Sequence, residues 1–436
     1  MKNNKNISIY KSFYWISIKT IDNLYVFRYN REKGDDIMIK RPMYMDILRK
    51  YRDIPLVKVL AGIRRCGKST LLEMLKNELK ENGIAEDHII SMRYTSEDFY
   101  SGMTEKDMYL GLRNKMIDEG RYYLLLDEVQ EVEGWEKVVN SLLENANTDI
   151  YVTGSNSKLM SSEISTYLTG RYVSIPVFTL SYAEYLEFKK ESRRSNKELL
   201  IEYLRTGGFP IVAMNNFDER SAYQIVEGIY HSVITNDITK RHNISNFDLF
   251  NRVVKYIIEN VGKTFSANAI VKFLKSENRS LSVEAVYNYL LWLEKAFVIY
   301  RCSRYDLQGK SVLKTQEKFY LADSSLKYCI LGFNPKSIAA ILENTVYFEL
   351  LRRGYEVYIG KNMTKEIDFV AVRRDERIYV QVCRNIPEES EREVGNLLEI
   401  KDHYPKYVVT LDELAVGNIN GIKIRHLVDF LLCDEY

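Results

Sequence analysis

Apolar residues along the chain come in two rhythms, short unbroken runs and spacings of three and four. Leu56 to Ala61 is a short apolar run and predicts a buried strand. Thr70 to Lys80 places apolar residues at 71, 72, 75 and 79, the spacing of a helix. Further strands are predicted at Tyr122–Leu126, ending on Asp127 and Glu128, at Asp149–Val152, and at Tyr172–Val177. Ser181-x-x-Glu184 predicts a capping box, in which hydroxyl and carboxylate satisfy free N–H groups at a helix start. Residues 195–240 carry helical patterns broken by Gly207-Gly208-Phe209-Pro210. Three amphipathic helices follow, through Leu249–Ile258, Ser266–Ser276 and Ser282–Ala296, then a strand from Phe297. The last stretch predicts a helix over 337–353 and strands at 355–359, 366–372 and 377–383.

Between the first strand and the first helix stands Gly62-Ile63-Arg64-Arg65-Cys66-Gly67-Lys68-Ser69, a full G-x-x-x-x-G-K-[ST]. Strand, glycine loop and helix are the context this motif requires. The glycines let the backbone curl so that N–H groups point at phosphate oxygens, and the helix N-terminus adds partial positive charge. Lys68 is expected to reach the β and γ phosphates and Ser69 to ligate Mg²⁺, with Thr70 continuing the binding segment. One of Arg64 and Arg65 is expected on phosphate, the other on an acidic neighbour. Asp127 fits the role of a Walker-B aspartate holding Mg²⁺, and Glu128 that of a general base polarising water. Ser155 and Asn156, after the next strand, are candidates for γ-phosphate or water contact, ahead of Thr153. Arg171 is a candidate for stabilising transition-state charge, in cis or across a subunit boundary. A structural salt bridge explains it equally well.

The runs GIRRCGKSTLL, YYLLLDEVQ with Gly134-Trp135-Glu136, and TGSNSKLMSSE…YLTGRY resemble the prokaryotic AAA-type ATP-binding proteins that carry a C-terminal domain of unknown function. Ser181–Tyr185, Gly207–Pro210, Arg304-Tyr305-Asp306 and Gly309-Lys310 match as well, so the resemblance runs from Met38 to Tyr436. It implies adenine rather than guanine, a parallel P-loop core with an additional strand, a lid beside the nucleotide, and a restriction-endonuclease-like C-terminal region.

The three helices and following strand are the pattern of a winged helix. Residues 246–310 hold ten Lys/Arg against six Asp/Glu, a local +4 that would suit DNA. The third helix also carries Glu284, Glu294 and many apolar residues, which suits protein packing. The C-terminal helix and three strands resemble the endonuclease fold, whose active members place Asp on the second strand and [DE]-x-K on the third. Here Asp368 takes the aspartate position and Glu343 offers a carboxylate from the helix, but the third strand reads Gln381-Val382-Cys383. Without the acid and the lysine, the expectation is a catalytically silent fold used for binding. Lys361 or Lys365 would have to stand in for a nuclease to survive, and Cys383 reads as a small buried apolar residue.

The expected class is therefore α/β multidomain. It comprises an extension over 1–37, a P-loop core over 38–190, a helical lid over 191–245, a winged helix over 246–311 and a nuclease-like domain over 312–436. Composition adds exclusions. Hydrophobic residues at 46% and charged residues at 28% are a globular balance, and a net charge of +2 rules out a globally basic nucleic-acid coat. No apolar run approaches a membrane span. The five cysteines form no C-x-x-C pair, which fits a reducing cytoplasm and neither a disulfide framework nor zinc. Met38 reads as a normal start, so residues 1–37 are expected either to be untranslated, which intact mass checks, or to form a flexible or strand-adding arm. ATP and Mg²⁺ are the expected cofactors. The sequence leaves room for DNA, a protein partner or an oligomer.

Overall fold

The structure, a computed structural model, describes residues 27–30, 35–95, 98, 102–156, 159, 167–168, 170–242, 244, 246–309, 311–386 and 391–436. Residues 1–26 and 31–34 of the expected extension lie outside the described residues, as do Ser157, Lys158, Met160, Ser161, Ser162, Glu163, Thr169 and Lys310 of the quoted motifs. The described parts of the extension, β1 (Phe27–Asn30) and β2 (Asp35–Met38), pair antiparallel.

A five-stranded parallel sheet forms the first unit. It contains β3 (Val57–Ala61), β4 (Ile89–Arg93), β5 (Tyr122–Asp127), β6 (Thr148–Gly154) and β7 (Tyr172–Pro176), in the order β4-β5-β6-β3-β7. The inner strands β3, β5 and β6 are buried at every position, with Lys58 of β3 paired to Asp149 of β6, whereas the edges β4 and β7 are partly exposed. β6 lies between the strand of the glycine loop and the strand of the acidic pair, so it is the additional strand. Helices Lys68–Glu81 and Trp135–Asn145 pack on this sheet.

Helix Tyr182–Phe188 starts with the predicted Ser181–Glu184 capping box, and Asn196–Thr206 starts with a second, Ser195–Glu198. The Gly-Gly-Phe-Pro break leads into Pro210–Ala213 and Glu219–Ser232, which runs on into a π-helical turn, Val233–Thr239. Helices Phe247–Glu259, Ala267–Ser276 and Val283–Lys295 follow, each N-capped by a side chain, from Asn246, Ser266 and Ser282. The antiparallel pair β8 (Ile299–Asp306) and β9 (Ser311–Leu321) comes next.

The chain then gives helix Ile338–Arg352, β10 (Glu356–Asn362), β11 (Lys365–Arg373), β12 (Glu376–Cys383), helix Glu391–Leu398, β13 (Lys406–Thr410), β14 (Gly417–Ile419) and β15 (Ile422–His426). All these strands join β8 and β9 in one mixed sheet, ordered β14-β15-β13-β12-β11-β10-β8-β9. β10, β11 and β12 form an antiparallel meander, and β13 returns parallel to β12. This corrects the expected boundary at 311/312, which would cut β9. β8 also pairs parallel with β10, so hairpin and C-terminal strands share backbone hydrogen bonds.

The two units are joined by buried polar contacts. Gly208 N–H donates to Asp323 Oδ2 at 2.8 Å, Thr179 Oγ1 to the Ala322 carbonyl at 3.2 Å, and Arg352 Nη2 to the carbonyls of Thr179 and Leu180 at 3.1 and 3.3 Å. The glycine break is explained here. A Cβ on Gly207, at φ 77°, would lie 1.8 Å from Asp323 Oδ1, and one on Gly208 would lie 2.5 Å from the Leu180 carbonyl oxygen. Among the described residues no helix is long and apolar enough to cross a membrane.

Candidate functional site

The glycine loop leaves β3 at the C-terminal edge of the parallel sheet and enters helix Lys68–Glu81 through Gly67, whose φ of 104° disfavours any β-carbon. Gly62 is needed for close approach, since a Cβ there would sit 2.0 Å from the Val177 carbonyl oxygen. Ile63, Cys66 and Thr70 are buried, and burial pushes the Cys66 thiol up and keeps it unreactive. Lys68 is buried too. Its ammonium is folded back on the loop's own carbonyls, 3.0 Å from Gly62 O and 3.2 Å from Ile63 O. Arg65 has φ 68° and shapes the loop beside Cys66.

The two halves of the predicted site meet. Ser69 Oγ donates to Asp127 Oδ1 at 3.0 Å, and Thr153 Oγ1 donates to the same oxygen. Thr153 Oγ1 also accepts from the Glu128 N–H at 3.1 Å, so this hydroxyl holds the acidic pair from β6. Glu128 adopts φ 55°, which turns its side chain off the strand line, and Gln130 Nε2 donates to its Oε2. Burial raises the Asp127 carboxyl, helped by the Glu128 charge, while Ser69 and Thr153 oppose the rise. Burial also works against ionised Glu128, but the Lys68 and Arg64 charges and the Gln130 hydrogen bond outweigh it and hold that carboxyl below its ordinary value. An ionised, oriented carboxylate beside the loop is what a general base requires.

Three residues here escaped the sequence reading. Asp237, on the π-helical turn, accepts from Arg64 Nε and Nη2, both at 3.0 Å, and from Ser155 Oγ at 2.8 Å. It is the acidic neighbour anticipated for one loop arginine, and it ties the π-helical turn to the loop and to the end of β6. Arg41 donates to the Cys66 carbonyl at 2.9 Å, the Phe178 carbonyl at 3.1 Å, and both oxygens of Glu184 at 2.7 and 2.9 Å. Arg93, closing β4, lies 3.5 Å from Asp127 Oδ2. A π-turn and a buried arginine leave no sequence signature. Asn156 is buried next to Ser155.

Arg171 is a correction for a role within one chain. Tyr172 pairs with Val57 at the beginning of β3, so Arg171 precedes β7 at the sheet edge opposite the loop. Its Nη2 donates to Asn140 Oδ1 at 3.2 Å and to Glu144 on helix Trp135–Asn145.

At the C-terminal sheet, Lys318, a β9 residue that the sequence reading did not weigh, donates to Glu343 Oε2 at 3.4 Å and feels the Asp368 charge. Gln381 Oε1 accepts from the Asp368 N–H at 3.3 Å, and Cys383 is buried. Lys365 instead pairs with Glu399 at 2.5 Å.

The family described as an AAA domain matches residues 55–186, and a domain of unknown function, DUF8612, matches 197–337. The first covers the parallel sheet and the glycine loop, the second residues 197–245, the three helices and β8–β9. Only 312–337 of the second falls in the stretch set apart as a C-terminal domain. An uncharacterized protein of Haemophilus influenzae is 39% identical over 398 residues, 91% of this chain and 99% of that protein. One from Methanocaldococcus jannaschii is 28% identical over 377 residues, 84% and 80% of the two chains. Among solved structures, the Walker-type ATPase of Pyrococcus abyssi aligns with 70% of this chain and 97% of its own, at TM-score 0.49 and 14% identity. The parallel sheet with its glycine loop is a P-loop, AAA-type core, and by its identity across nearly the whole Haemophilus influenzae relative the chain belongs to that protein's family.

Proposed function

We propose that this chain binds ATP with Mg²⁺ at the Gly62–Ser69 loop and hydrolyses it, and that the reaction moves the lid against the C-terminal sheet. The observation that carries this is the convergence of Lys68, Ser69, Asp127 and Glu128 at one edge of the parallel sheet, with Ser69 3.0 Å from Asp127. The residues fit the group: a hydroxyl and a carboxylate stand ready for a hard cation, and a buried ammonium lies against loop carbonyls that phosphate oxygens can replace. Bound Mg·ATP would supply the phosphoryl group and the charge that offsets it. Lys68 then binds phosphate oxygens, Asp127 and Ser69 hold the metal, and Glu128 takes the proton of the attacking water. Arg171 takes no part in this within one chain.

Arg41 gives the movement a physical route. It bonds to the loop at Cys66, to Phe178, and to Glu184 of the helix on which Arg352 also bears. The test is radiolabelled ATP turnover by the wild type and Lys68→Ala, with and without Mg²⁺ and a panel of DNA and RNA. Mg²⁺-dependent turnover lost in Lys68→Ala supports the reading, and equal background rates refute it.

The runner-up is a nucleotide-gated binding module built on the three helices and the β8–β9 hairpin, whose order is that of a winged helix. Four of its ten cationic residues are held in ion pairs: Arg252 pairs with Asp248 and Glu277, Arg279 with Asp248, Arg301 with Glu294 and Glu317, and Arg304 with Glu366. The exposed face of the third helix carries Val283, Tyr287 and Leu291, which favours a protein partner over DNA. The order helix, β10-β11-β12 meander, helix, β13 supports an endonuclease-like ancestry for the C-terminal unit, with Glu343, Asp368 and Gln381 as its degenerate site.

A further inference from the structure

The C-terminal sheet buries charged groups that the ATP reaction does not use. Lys318 comes from β9, Arg304 from β8, Glu343 from helix Ile338–Arg352, and Glu366 and Asp368 from β11. Lys318 is 4% exposed and Arg304 7%. The Lys318 ammonium lies 2.9 Å from Glu366 Oε1 and 3.4 Å from Glu343 Oε2. Arg304 Nη2 takes the other Glu366 oxygen at 2.6 Å. The Tyr320 hydroxyl donates to Glu343 Oε2 at 3.3 Å, and the Val382 N–H donates to Asp368 Oδ2 at 2.8 Å.

Carboxylates from a helix and a strand, facing one point, are an arrangement that elsewhere gathers a divalent cation. Here that point is taken. A divalent ion would bring two positive charges to these oxygens, and Lys318 and Arg304 together bring two. Magnesium, manganese and calcium need several oxygens at about 2.0–2.6 Å. An ammonium already bonded to two of the carboxylates holds them apart and repels an incoming cation. Among the described residues no three His, Cys, Asp or Glu side chains gather as a metal site.

We propose that Lys318 is a built-in cation that occupies the metal position of the acidic face formed by Glu343, Glu366 and Asp368. It closes that face to divalent metal and staples the β8–β9 hairpin to the C-terminal strands. Lys318 and Glu366 sit on strands separated by β8 and β10, so their ion pair spans the sheet face that joins hairpin and meander. The cluster thereby becomes a joint between the modules that ATP is proposed to move. The metal-exclusion claim stands or falls independently of ATP turnover.

The test uses the full chain without nucleotide, titrated with Mn²⁺ followed by electron paramagnetic resonance, and with Tb³⁺ sensitised by the neighbouring Tyr320. The wild type and Asp368→Asn are expected to give the same titration, because the face is closed. Lys318→Met should gain a saturable site that disappears in Lys318→Met/Asp368→Asn. Its lowered thermal midpoint should be restored by Mn²⁺, whereas Lys318→Arg should gain no site. Binding by the wild type that is lost in Asp368→Asn would overturn the proposal, as would a folded Lys318→Met that gains no site. If Lys318→Met does not fold with or without Mn²⁺, the wild-type comparison with Asp368→Asn still decides, since equal titrations support exclusion and unequal ones refute it.

Discussion

Replacing Arg41 by Met removes the guanidinium that ties the phosphate loop to the helix Tyr182–Phe188 while keeping most of the apolar stem. The side chain of Arg41 is 3% exposed and that of Glu184 11%, so the variant leaves a buried carboxylate whose remaining bond is the 2.8 Å contact from the Ser181 N–H. Breaking a buried pair from one side costs about 3–5 kcal/mol, because the other charge stays desolvated. The carbonyls of Cys66 and Phe178 also lose their donor. An orphaned buried acceptor costs roughly 1–3 kcal/mol, but these losses share one site and do not simply add. Urea unfolding followed by intrinsic fluorescence should therefore show a loss of about 3–5 kcal/mol. Arg41→Met/Glu184→Leu should recover roughly 2 kcal/mol of it, since an apolar replacement of the whole pair is often neutral and the lost capping box costs about 1. The pH dependence carries a sign. Burial opposes ionised Glu184, but Arg41 overrides it and holds the carboxyl low, so its stabilisation is complete above about 4.3 and fades as pH falls below that. In Arg41→Met the carboxylate is unpaired and its carboxyl is raised, so the gap to the wild type should narrow on acidification. A single-variant loss under about 1 kcal/mol, or a gap independent of pH, would refute the reasoning.

Other outcomes follow from the same contacts. Asp237→Ala frees Arg64 and Ser155 from the π-helical turn, and hydrogen exchange should accelerate across 233–242 while staying unchanged in β3 and β5; unchanged exchange in the turn would show that Asp237 is no latch. Gly208→Ala, with its Cβ 2.5 Å from the Leu180 carbonyl oxygen, should lower stability by about 1–3 kcal/mol. Gly228→Ala, in helix Glu219–Ser232 with nothing within 4 Å, should raise it by about 0.5–1 kcal/mol, and both are read from thermal midpoints. Burial, aided by the Lys263 charge, lowers the Lys327 ammonium to about 8 from its ordinary 10.5. The unfolded chain therefore binds the extra proton between those values, and stability should rise with pH across that window. Lys327→Met should flatten this alkaline limb, and an unchanged limb would contradict the assignment.

What the sequence could disclose was local. The glycine loop, its strand and its helix follow from one contiguous motif, and β3, β5 and β6 are recognisable by their apolar centres, although the buried pairing of Lys58 with Asp149 was not. Ser181 and Glu184 are three residues apart, so their box could be read directly. Asp237 could not, because its partner Arg64 is 173 residues away and no spacing rule links them. Arg41 and Glu184, 143 residues apart, are hidden for the same reason. Arg171 misled because its position after a small polar turn says nothing about which edge of the sheet it occupies. The boundary at 311/312 failed since β9 serves both the hairpin and the C-terminal sheet. No spacing rule links Lys318 to Glu343 or Glu366, and only folding brings β9 to them.

The claim that the loop and the acidic pair form one hydrolytic site is tested most directly by Glu128→Gln, with ATP binding and single-turnover hydrolysis measured on the same protein. The account predicts retained Mg·ATP binding and hydrolysis slowed by about 10²–10⁴, the contribution of a positioned base. Hydrolysis by Glu128→Gln at the wild-type rate would contradict it.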